Sequence, residues 1–113
     1  MSYDLRVIAE RAIDVGAVRA LLVAIDGIEE HGDELVWGGT AVTASFLLDP
    51  TEVDVGVTSD EAPVDVLRAE FHQVLDIAMR VASVVGAPVH DAQLGRVLQP
   101  RDEEATRDFA GGG

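Results

Sequence analysis

Apolar and polar positions alternate along the chain with two different periods. Over residues 3–9 the period is two: Tyr3, Leu5, Val7 and Ala9 share one side, and Asp4, Arg6, Ile8 and Glu10 the other. This predicts a strand lying against a single layer of core. Asp14 then stands where an N-cap would, ahead of Val18, Leu21, Leu22 and Ile25 at helical spacing, with Gly27 placed to end the helix. Ile28–His31 and Glu34–Gly38 read as strands around a turn at Gly32-Asp33, with a second turn or a bulge at Gly38-Gly39. Residues 40–48 turn Val42, Ala44, Phe46 and Leu48 inward. Asp49-Pro50-Thr51-Glu52 has turn composition, and Val53, Val55 and Val57 then alternate with Asp54, Gly56 and Thr58.

The longest periodic segment is Val64–Val85, with Leu67, Phe71, Leu75, Ala78, Ala82 and Val85 on one helical stripe, widened by Val74 and Met79. Pro63 suits its first turn and Gly86 its end. Arg68, His72, Asp76 and Arg80 form an i,i+4 ladder on the opposite side. An extended piece follows at Ala87-Pro88-Val89, a turn over residues 91–95, and a return at Arg96-Val97-Leu98. Beyond Pro100 the apolar pattern stops.

The expectation is therefore one domain over residues 1–99 and a charged, Gly-rich flexible tail over 100–113. The element order predicts an α+β two-layer sandwich, with two helices on one face of a mostly antiparallel sheet of four or five strands. A ferredoxin-like, split β-α-β variant is the nearest standard arrangement.

Composition narrows the function. The chain has 113 residues, 48% of them apolar, enough for one core. Eight basic residues, all Arg, against 21 acidic ones give a formal charge of −13. That sign excludes nucleic acid and an anionic membrane surface as partners, because each requires phosphate to be neutralised. Aromatic residues at 4% offer no platform for stacking bases. Absence of Cys removes disulfides, thiolate nucleophiles and Cys-based metal sites. Lys and Asn are also absent, which GC-rich codon usage or adaptation to high salt would each produce. The first residues lack a basic stretch followed by an apolar run, and no apolar run reaches the ~18 residues of a membrane span, so a cytoplasmic protein is expected.

Candidate chemistry is sparse. His31, within Glu29-Glu30-His31-Gly32-Asp33, belongs to a solvated hairpin or to a cation site, but the spacing fits no calcium loop. His72 and Asp76 are one helical turn apart, within a ladder whose arginines would repel a cation. His90, Asp91, Gln93 and Arg96 fall close together in the segment 86–96. As chemistry, His90 and Asp91 would be an acid/base pair and Arg96 an anion clamp. As structure, Asp91 satisfies its own turn and Gln93 ties the strand edge. Trp37 is either a core residue or an interface anchor. Gly38-Gly39-Thr40 is too short for a phosphate loop, and none of the serines sits in a nucleophile elbow. The closing Gly111-Gly112-Gly113 is like the tails of ubiquitin-like sulfur carriers, but those proteins open with a hairpin; a flexible tail is the simpler reading. No catalytic residue, metal ligand or cofactor is assigned. Trp37, His90, Asp91, Gln93 and Arg96 remain as ligand or interface candidates.

The Tyr3-Asp4-Leu5 opening, the long helix ending in Gly86 and the pattern Val89-x-Asp91-x-Gln93-x-Gly95 resemble small bacterial α+β proteins of βαβββαβ layout, some of them similar to immunity proteins encoded beside toxins. The resemblance implies that layout and carries no catalytic residue over; the strong negative charge leads to the expectation of a non-enzymatic, acidic interaction domain with a basic protein partner, a homodimer, or both. The alternatives are a small-molecule-binding regulatory domain with Arg96 in its pocket, or a small enzyme using His90 and Asp91.

Overall fold

The computed structural model describes residues 2–111. Period-two segments become strands β1 (Ser2–Ile8), β2 (Ile28–His31), β3 (Glu34–Gly38), β4 (Val42–Leu48) and β5 (Glu52–Ser59), joined later by β6 (Val89–Asp91) and β7 (Arg96–Val97). Helices are α1 (Val15–Val23), α2 (Val64–Val85) and α3 (Glu103–Ala110). All strands lie in one sheet of order β2-β3-β4-β5-β1-β6-β7, and every neighbouring pair is antiparallel.

The α+β class and the antiparallel sheet stand as expected, but the counts do not. The sheet among the described residues has seven strands rather than four or five, because both hairpins, residues 28–38 and 89–97, join it in full, one at each edge. The described residues form three helices rather than two. The third occupies the segment expected to fray. Asp102 caps it by accepting from the Ala105 N–H at 3.1 Å, and Ala105, Thr106, Phe109 and Ala110 are buried. The charged residues beyond 100 thus belong to the folded body as far as Gly111.

β1 is the organising strand. It pairs with β5 from Ser2↔Thr58 to Ile8↔Glu52, and on its other edge with β6 from Leu5↔Asp91 to Val7↔Val89. α2 therefore links two strands that flank β1, a split β-α-β unit. The crossover through α1 is wider, with β3, β4 and β5 standing between β1 and β2.

The inner sheet face and the helices enclose one core, in which Leu5, Leu22, Leu35, Phe46, Phe71, Leu75 and Phe109 are fully buried. Phe71 and Phe109 stack with centroids 4.5 Å apart, and Tyr3 meets each edge-on. The ladder on α2 mostly serves α3 and the turn before it: Arg68 pairs with Glu103, and Asp76 with Arg101 at 3.2 Å.

One buried carboxylate joins the layers. Glu70 of α2 accepts from the Thr40 N–H at 2.8 Å, the Thr40 hydroxyl at 2.7 Å, the Ala41 N–H at 2.8 Å and the Val42 N–H at 2.9 Å. Burial pushes its pKa up, but these donors outweigh burial and bring it down to about 2. Gly39 is required for this approach, since a Cβ there would lie 2.6 Å from the Glu70 carboxyl group.

Candidate functional site

The segment that carried most candidates is the β6–β7 hairpin, and three of its polar residues bond within the fold. Asp91 faces the core, 1% exposed. Its Oδ2 accepts from the Tyr3 hydroxyl, and its Oδ1 accepts from the N–H groups of Gln93 and Leu94 at 2.8 and 2.9 Å. Burial first, then the bond to Asp91, raises the Tyr3 pKa beyond the normal phenol range. The Gln93 side chain accepts from the Asp4 N–H at 3.0 Å. Arg96 donates to both Asp102 oxygens, at 2.9 and 2.7 Å, and to Glu104 at 3.2 Å. Those bonds hold the Asp102 carboxyl well below the usual carboxylate range.

Arg96 therefore clamps the cap of α3. Arg96→Ala is expected to loosen α3 without unfolding the sheet, since it removes a charged bidentate bond that is partly open to solvent. Hydrogen exchange should show the amides of α3 opening faster while those of β4 and β5 keep their protection.

His90 points the other way. It lies on the outer sheet face, exposed, opposite Arg6 and Val97, whereas Asp91 beside it is buried. The remaining histidines lie elsewhere. His31 is at the edge strand β2, 3.3 Å from Glu29, and His72 is on α2 with its Nε2 buried and without a hydrogen-bond partner. Among the described residues no three metal-capable side chains converge. Trp37 is 5% exposed, in the core beneath α1 and against Gly27. A cleft of about 490 Å³ at the end of β1 is lined by Ile8, Glu10, Arg11, Gly86, Pro88 and His90.

The outer face of the sheet is unpartnered among the described residues, because the core and the helices lie on the inner side. Strand pairing places His31, Glu34, Leu47, Asp54, Arg6, His90 and Val97 in one row across it. The adjoining row holds Glu29, Val36, Ser45, Gly56 and Asp4. Leu47 and Ile8 are each 48% exposed. Arg6 Nε stands 3.7 Å from Asp54 Oδ1, too far for a hydrogen bond, and that oxygen has no hydrogen-bond partner among the described residues. Asp54 also pushes the pKa of its neighbour Glu52 up, the two carboxyl groups lying two residues apart on the same face of β5.

Sequence reasoning passed over this face. Its signal was present in the polar positions of each alternating strand, but the order of strands that assembles them is not a local property. Compared with protein-family models, curated proteins and solved structures, the chain matches none. No helix among the described residues is long and apolar enough to cross a membrane.

Proposed function

We propose that this chain is an acidic, non-enzymatic protein-interaction domain of the cytoplasm, immunity- or inhibitor-like in action, that captures a basic partner. One observation carries the reading. The polar groups with defined geometry, Asp91, Gln93, Arg96, Asp102 and Glu70, are bonded to other parts of the fold, while a seven-stranded sheet leaves one whole face uncovered. The charge of −13 supports it, since a strong field accelerates encounter with a partner of opposite sign. The split unit β5–α2–β6 around β1 supports classing the fold as an enlarged ferredoxin-like variant.

A homodimer through the β2 edge is less well supported. Antiparallel pairing of two Ile28–His31 strands would set Glu29 of one copy against Glu30 of the other, and like charges directly opposite are destabilising. The cleft holding Arg11 and His90 favours a second reading, a small-molecule-binding regulatory domain.

The test is capture from the native host at its working salt, followed by reconstitution with the purified partner. A one-to-one complex whose association rate falls steeply with added salt is expected. Failure of every captured protein to rebind in purified form, with a small molecule stabilising the chain instead, would replace this reading by the second.

A further inference from the structure

Gly56 is a residue that the fold does not explain. It lies mid-strand in β5, opposite Asp4 on one side and Ser45 on the other. It is not among the positive-φ residues, and a Cβ there would meet nothing within 4 Å. Glycine inside a strand weakens it, and is found where another chain or ligand must approach the backbone. Among the described residues no neighbour makes that approach. What Gly56 leaves is a hollow of about 260 Å³ on the outer face, bordered by Asp4, Arg6, Leu47 and Asp54.

We infer that this face, centred on the hollow over Gly56, docks a basic protein partner, with one arginine or lysine side chain seated over Gly56 and apolar contact made on Leu47. The inference rests on the interaction reading and adds the surface and the partner's chemistry. Charge selects the occupant. Five carboxylates, Asp4, Glu29, Glu34, Glu52 and Asp54, face outward with Arg6 as the one guanidinium among them. A second copy laid on this face would bring those five against five more, with two arginines between them, whereas a cationic surface would relieve the crowding of Glu52 against Asp54. Area is of the right order: the strands of the sheet, at their actual lengths, make a plate of roughly 570 Å². That is about 70% of the ~800 Å² per partner of a standard interface.

The test is an amide NMR titration of the full chain with a blocked Arg-Val-Arg-Val-Arg peptide, at about 0.15 M salt so that long-range attraction is screened. Saturable shifts are expected at Asp4, Arg6, Ser45, Leu47, Asp54 and Gly56. Gly56→Arg should weaken binding about tenfold or more, by filling the hollow with like charge. The charge-matched Val84→Arg, on the exposed side of α2, should change it less than about twofold. Circular dichroism confirms that each variant is folded.

Shifts spread equally over the carboxylates of the helical layer, equal loss in the two variants, or no saturable binding would each overturn the assignment. If a captured partner then survives reconstitution, the interaction reading stands and only the surface falls. If none does, the reading beneath it falls as well.

Discussion

Phe109→Ala is expected to destabilise the protein by about 3–5 kcal/mol, the range for emptying a buried aromatic site. Against a total of roughly 5–15 kcal/mol for a domain, that is a large share. The ring is 1% exposed, stacks on Phe71 and meets Tyr3 edge-on at 6.0 Å. Collapse into the vacated space is restricted, because α3 is held by Arg96 on Asp102 and by Arg68 on Glu103. Phe109→Leu, which keeps most of the volume, should fall well short of that cost. Urea unfolding, read at the midpoint with unchanged slope, measures the difference. A cost under about 1 kcal/mol is what a frayed tail would give, and it would remove α3 from the core.

That residue also marks where the sequence was readable and where it was not. β1, β4 and β5 were legible because a sheet covered on one face forces strict alternation, as in Tyr3, Leu5 and Val7 or Val53, Val55 and Val57. α2 was legible because six turns repeat one apolar stripe. α3 was not, since its inward positions are Ala105, Thr106 and Ala110 around a single large side chain, Phe109. Its other signs were in place: Asp102 as cap, Glu103 and Glu104 in the first turn, Arg107 in the last turn and Gly111 beyond the end. Trp37 could be read either as core or as anchor, because a lone aromatic carries no period; its burial depends on α1 arriving over β3. The outer sheet face lay in the strand patterns all along. The placement of β1 between β5 and β6, however, depends on pairing residues such as Leu5 with Val55 and Asp91, which no local pattern encodes.

Glu70 was overlooked for a related reason: a carboxylate bordering an apolar stripe reads as helix surface, and the donors that receive it come from residues 40–42. Glu70→Ala is expected to cost about 2–3 kcal/mol, since it strands three backbone N–H groups and a hydroxyl, with the Val42 N–H fully buried and the others partly so. Glu70→Gln should cost less, keeping the shape but turning an amide group toward donors.

Acidity separates charge from shape. The Glu70 pKa falls from 4.5 to about 2 in the folded chain, so its ionised form stabilises the fold above about pH 4.5 and loses that contribution as pH falls through about 2. Urea titrations of wild type and Glu70→Gln should therefore converge over that interval, the other carboxylates cancelling between the two proteins. A difference that stayed constant down to pH 2 would mean that the negative charge contributes nothing. The Gly39-to-Val42 turn would then be held by packing alone, an outcome hard to reconcile with a glycine whose missing Cβ is what admits the carboxylate.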